Sequence, residues 1–333
     1  MLNISKTSKR LLLLLLPFFL WSCTHGAAVS PQRTRAVYTV SPRENSLVNR
    51  FAPDLLANGY QNNQNRIGAP EVKYTQKGEE EIHMDVRKPA MYWTQQKFTT
   101  SKRTYTNLIY RIHFPEVPLS LFPFYLTAGK NVGLLLIITL DVENRPVLVT
   151  TSGTCGCYAV TIPTQYLDKS AYPKDWNGEK PLHNYGETLP PLLNFSSFDQ
   201  PKLLVHLRSD VHRVMDLEVV DAAKPGRSGV QETIETSLLP MGDLEKIPAG
   251  MGRTTSLYYN TWPYRGLVKG SFKCWETLSM SLMSLDFFVG TDKIYGDSSK
   301  TGTRFYTSLK PWNREASDMW HFERFLMFNG WNL

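Results

Sequence analysis

A chain of 333 residues, 42% hydrophobic and 20% charged, can bury a sizeable core as one large domain or two ordinary ones. Four cysteines are too few for a disulfide scaffold. The formal charge of +7 includes Lys6, Lys9 and Arg10, which leaves +4 for the rest; acids and bases are interspersed there, so a nucleic-acid partner has no support.

The chain opens "MLNISKTSKRLLLLLLPFFLWSC". A basic start precedes an apolar run over residues 11–21. That run is shorter than the roughly 20 residues a spanning helix needs, and the pattern is that of an export signal. Leu20-Trp21-Ser22-Cys23 resembles the lipobox of bacterial lipoproteins. The resemblance implies a signal peptide over residues 1–22 and lipid attachment, palmitate among the acyl chains, at Cys23. Its implied partner is the membrane. Because Thr24 is not aspartate, it further implies the outer membrane of the cell envelope, facing the periplasm. Gly26-Ala27-Ala28 offers ordinary signal-peptidase cleavage as the alternative. Beyond this signal the chain resembles exported bacterial proteins in general, which implies no activity.

Residues 23–36 are small and polar and read as a tether; residues 37–333 read as the globular, β-rich ectodomain. Residues 45–60 suggest a short helix broken near Pro53. Residues 71–75, 81–86, 91–99 and 103–114 alternate enough to predict an antiparallel meander. In the last of these, Leu108, Tyr110, Ile112 and Phe114 share one face, and Ile109, Arg111 and His113 the other. Residues 131–150 predict a hairpin whose first strand, "VGLLLIITL", is buried on both faces. Residues 163–195, dense in Pro, Gly and aromatics, read as a long ordered loop. Residues 202–208 and 211–220 predict a second strand pair, and residues 224–229 a sub-boundary. Within residues 271–290 a helix with Cys274, Leu278, Leu282 and Leu285 as its apolar stripe competes with a strand, since Ser and Met alternate there. "DKIYGDSSKTG" reads as a surface loop. Residues 317–329 predict a helix docked by Phe322, Phe325 and Leu326, with Gly330 at its C′ position. The sum is an α+β fold: β-rich, with antiparallel strands and late helices.

No G-x-S-x-G, H-E-x-x-H or P-loop occurs. No catalytic residue, cofactor or metal centre is assigned from the sequence. The most specific chemical feature is Cys155-Gly156-Cys157. Three roles compete for it: a structural bond from one of the two to Cys274, a labile bond between the two, or soft metal ligation helped by a histidine. His212 is the histidine candidate; His206 joins it on one face only if "RSD" does not turn the chain. Frequent Trp and Tyr offer a platform for an envelope protein or glycan partner. The leading expectation is an envelope-anchored lipoprotein with a non-enzymatic binding or assembly role. The rival is a thiol-dependent redox or metal-binding periplasmic protein using Cys155 and Cys157.

Overall fold

The computed structural model describes residues 34–41, 46–178, 180–223 and 229–333. Cys23, the signal peptide and most of the expected tether lie outside these residues, as do residues 224–228 of the expected sub-boundary. The last two tether residues belong to the fold: strand β1, Arg35–Thr39, begins with them, and Ala36 is fully buried.

Helix α1, Leu47–Phe51, is capped by the Ser46 side chain, which accepts from the Asn49 N–H. Pro53 follows, and strand β2, Asp54–Asn58, occupies the rest of the region expected as broken helix. Its burial explains the difference, since all five residues are inside. The four expected strands appear as β3 (Ala69–Tyr74), β4 (Glu80–Asp85), β5 (Ala90–Thr99) and β6 (Thr104–His113), but not as one meander: β3 and β4 pair only with each other in a two-stranded sheet, and β5 and β6 pair in a larger one. The hairpin is β7 (Gly133–Leu140) and β8 (Pro146–Gly153), followed by β9 (Val160–Pro163). The second strand pair is β10 (Pro201–Leu207) and β11 (Val214–Asp221), and β12 (Glu232–Glu235) and β13 (Ser237–Pro240) complete the sheets.

Two sheets carry the fold. One runs β11-β10-β2-β1-β12 and contains parallel pairs at β10–β2 and β1–β12. The other runs β9-β8-β7-β6-β5-β13, antiparallel except for β13 on β5. Leu108, Tyr110, Ile112, Leu136 and Ile138 of the second sheet share a buried cluster with Leu55, Val205 and Leu207 of the first. The opposite face of the same strands, through Ile109, Leu135 and Ile137, packs on Phe322, Phe325 and Leu326 near the C-terminus. That is why "GLLLIITL" is apolar on both faces, with Thr139 its one polar side chain: β7 has a hydrophobic layer on each side. Burying each such side chain contributes roughly 1.5–3 kcal/mol.

Three helices come late, one of them a single turn at Ser298–Thr301. Helix α2 is Cys274–Ser284 and α3 is Phe322–Phe328. The C-terminal end of α3 closes as expected: Gly330 has φ +86°, its N–H bonds the Met327 carbonyl at 3.0 Å, and Trp331 N–H bonds Leu326 at 2.9 Å. Residues 317–321 form turns around a single β-bridge from Asp318 to Tyr306, so the helix starts later than its pattern suggested. The fold is therefore α+β and β-rich, with late helices. Among the described residues no helix is long and apolar enough to cross a membrane.

The expected stripe on α2 is corrected by the structure. Leu278, Leu282 and Leu285 are exposed, and the buried residues of the helix are Glu276 and Ser284. Polar partners hold this helix, and they define the site.

Candidate functional site

Strands β6, β7 and β8 finish at one end of the sheet: Gly133 stands opposite His113, and Gly153 opposite Leu134. A buried polar seam begins there. Arg111 is fully buried; its Nη1 donates to the Lys293 carbonyl at 2.7 Å and its Nε to His113 Nε2 at 2.9 Å. Accepting that bond requires a neutral imidazole. Burial, and the adjacent Arg111 charge, push the His113 pKa well below the ordinary range.

The chain leaving β8 makes a tight turn. Gly153 N–H bonds the Cys157 carbonyl at 2.9 Å, and Gly156 N–H bonds the Gly153 carbonyl at 2.8 Å. Gly156 takes φ +92°, and a Cβ there would run into the Tyr306 carbonyl, so only glycine fits. The triplet is thus a turn rather than extended backbone. Its consequence is that Cys157 N–H points at Cys155 Sγ, 3.3 Å away.

Four charged side chains surround the pair. The Lys273 ammonium, at the start of α2, lies 3.1 Å from the Asp292 carboxylate, both buried. Asp292 also accepts from the Thr154 hydroxyl and from Gly133 N–H at 3.3 Å. Glu276, one turn into α2, accepts from Cys157 Sγ at 3.1 Å. Its other oxygen is buried with no protein hydrogen bond and lies against Gly290, where any Cβ would clash with it. Lys293 is buried too, donating to the Cys155 carbonyl at 3.0 Å and Thr291 at 2.9 Å, with its ammonium 4.8 Å from the Tyr306 ring centre.

These charges order the two thiols. The Cys155 pKa is lowered, first by hydrogen bonding with Cys157 and then, against burial, by the Lys273 charge. The Cys157 pKa is raised well above the thiol range by Cys155, by burial and by the Glu276 charge. Lys273 is itself held protonated despite burial, chiefly by Asp292. Cys155 is therefore the first to ionise, and Cys157 keeps its proton directed at Glu276.

Both cysteines and Glu276 line one cavity of about 300 Å³. Tyr158 and Tyr306 add polar edges, and Leu126, Met280, Leu309 and Phe328 supply apolar walls. A second cavity, about 30 Å³ and so the size of a water, is lined by Cys155, Lys273 and His212. His212 is buried, stacked on Phe114 with centroids 4.1 Å apart, and its pKa is pushed down to about 4 by burial.

The structure thus brings Cys155 and Cys157 into one cavity and sets His212 on the other cavity that Cys155 lines. The "RSD" turn separates His206, which instead pairs with Glu218 at 2.7 Å. Cys274 is exposed, and the three described cysteines are free thiols. Among the described residues no group of three or more His, Cys, Asp or Glu could hold a metal ion. Lys273, Glu276 and Asp292 were missed by sequence reasoning; Asp292, expected on a surface loop, is 1% exposed. One signal was present: Glu276 is the sole charge between Lys273 and Asp286 in "KCWETLSMSLMSLD". No family model, curated protein or solved structure matches this chain.

Proposed function

We propose that this is a lipid-anchored envelope protein whose Cys155 and Cys157 exchange thiols and disulfides with a substrate. The anchor reading rests on the lipobox at Cys23 and is tested by mass spectrometry of the mature N-terminus; an unmodified terminus beyond Gly26 would sink it. The exchange reading rests on one observation above all: Cys157 donates to Glu276 at 3.1 Å while its own N–H faces Cys155 Sγ.

The chemistry balances with these groups. The Cys155 thiolate attacks one sulfur of a substrate disulfide, and the other sulfur leaves as a thiolate that takes up a proton. Cys157 then gives its proton to Glu276 and attacks Cys155 sulfur, expelling the second substrate sulfur. The substrate gains two electrons and becomes a dithiol, and the cysteine pair becomes a disulfide. An external dithiol resets it by the reverse steps. A thiol whose pKa is lowered toward ambient pH suits the attacking role, and a positioned base suits the resolving one.

The test is equilibration in dithiothreitol buffers of graded potential, with alkylation and peptide mapping. The expected product is a Cys155–Cys157 disulfide, with Cys274 alkylated throughout. Glu276→Gln is expected to slow closure of the pair and leave the final product unchanged. A disulfide to Cys274, or a pair that stays reduced in the most oxidising buffer, would refute the exchange reading. A binding or assembly role, the leading expectation from the sequence, is the second reading. The exposed apolar residues of α2 favour it.

A further inference from the structure

The walls of the thiol cavity continue into an apolar surface. Leu309 and Phe328, which line the cavity, are also among the exposed hydrophobic residues. Met280 carries the wall onto α2, where Met283, one turn further, is 66% exposed. Leu285 and Phe287 extend the exposed run. On the other side, Leu126 is preceded by Leu121 and Phe122, the latter 96% exposed. The two segments touch, since the Phe124 and Trp275 rings meet edge to face at 5.7 Å.

This surface carries almost no charge. Residues 118–127 and 277–285 contain no Asp, Glu, Lys or Arg. Two charged groups near the cavity are engaged with each other: Tyr306 donates to Asp286, and Arg314 lies 3.9 Å from Asp286. Glu276 is committed to Cys157. A small charged disulfide such as oxidised glutathione, with more carboxylates than ammonium groups, would bring net negative charge to walls whose one charged lining residue is the Glu276 carboxylate. An uncharged apolar ligand loses nothing there. Methionines at the lip adapt to varied shapes, which suits side chains that differ from one substrate to the next. A volume near 300 Å³ accommodates a cystine and a neighbouring side chain, and excludes a folded domain, whose remainder would rest on the outer surface.

We propose that the substrate of the thiol site is a polypeptide disulfide with apolar residues beside its cysteine, seated on the face formed by residues 118–127 and α2. The inference rests on the exchange reading and gives it a substrate class. One side of α2 serves both reactants, because Glu276, Met280 and Met283, spaced i, i+4 and i+7, run from the resolving cysteine along the cavity wall to its exposed lip. A segment with apolar residues next to cysteine is buried in a folded protein, so the face selects chains that have not finished folding.

The test compares three disulfides against the reduced full chain by stopped-flow tryptophan fluorescence with acid-quenched mapping. They are oxidised glutathione, a peptide disulfide flanked by Leu and Phe, and the same peptide flanked by Ser and Asn. The apolar peptide is expected to oxidise Cys155 and Cys157 about tenfold faster or more than the polar one, the scale on which apolar pockets discriminate. Met283→Ser combined with Leu309→Ser is expected to bring that ratio to about twofold. Equal rates for the two peptides would overturn the substrate class and leave the exchange reading standing. Failure of all three disulfides to oxidise the pair would refute the exchange reading itself. A concentration-dependent dimer that protects Met283 from oxidation would assign the face to a second copy of the chain and overturn the proposal.

Discussion

Helices α2 and α3 lie late in the same chain and are built on opposite principles. In α3, Phe322, Phe325 and Leu326 are buried, and the helix is held by apolar area. In α2 the buried residues are Glu276 and Ser284, and Leu278 and Leu282 face outward. What seats α2 is Lys273 on Asp292, Glu276 on Cys157, the Arg314 guanidinium on the Ser284 carbonyl at its far end, and the half-buried Trp275 ring packed against the main core. A helix can thus be located by a few polar pairs and one ring, and its apolar stripe is then free for another use. The two should respond to different perturbations: α3 to lost volume, α2 to lost charge.

The largest effect is expected in α3. Phe322 is 1% exposed and meets Phe98 and Phe325 with ring centroids 5.5 Å away in each case. Phe322→Ala should cost about 3–5 kcal/mol, by transfer of the ring and by the cavity left beneath β6 and β7. Urea denaturation reads this directly. A midpoint that does not move would mean that α3 is not held by apolar burial, and the contrast would collapse.

A smaller effect separates the polar end by pH. Burial holds the His212 pKa down at about 4, from an ordinary 6.5. Between those values the unfolded chain binds a proton that the folded one refuses, so the His212 contribution to stability must fall as pH drops from about 6.5 to about 4, and only then level off. The depression amounts to up to about 3 kcal/mol. His113 is depressed in the same direction and adds to the slope. His212→Asn suits the left-handed backbone at φ 55° and should flatten the part of this limb that His212 supplies. Stability measured at pH 7 and pH 4.5 decides it; an acid limb identical in the variant would show that the imidazole is not the group being protonated.

The sequence made the strands legible and the site only in part. Alternation in "YTNLIYRIHF" and the unbroken "GLLLIITL" located β6 and β7, because one face of β6 meets the other sheet and both faces of β7 are covered. Phe322, Phe325 and Leu326 were legible for the same reason. Strand β2 was not: "DLLAN" is short, lies beside a helical turn, and takes its identity from β1 on one side and, on the other, from β10, which is distant in sequence. Cys155 and Cys157 stood out by their spacing. Glu276, Lys273 and Asp292 did not, because periodicity assigns charged residues to the solvent face and apolar ones to the core. On α2 that rule inverts, since a buried ammonium and carboxylate pair outweighs the stripe only when both partners meet, and the partner of Lys273 is 19 positions away at Asp292.

The smallest expected effect is therefore the most telling for α2. Leu282 sits in the last turn of α2 with 83% of its surface exposed. Were the expected stripe a core stripe, removing this side chain would cost about 2–5 kcal/mol, as for any buried leucine. With the helix inverted, Leu282→Ser removes little that folding had buried and should change stability by less than about 0.5 kcal/mol. The same exchange in α3, Leu326→Ser, should fall in the higher range, because Leu326 is 1% exposed. Paired urea titrations of the two variants place the helices side by side in one experiment. A Leu282→Ser cost near that of Leu326→Ser would mean that the stripe is covered in the working protein, and that the polar pairs and Trp275 are not all that seats α2.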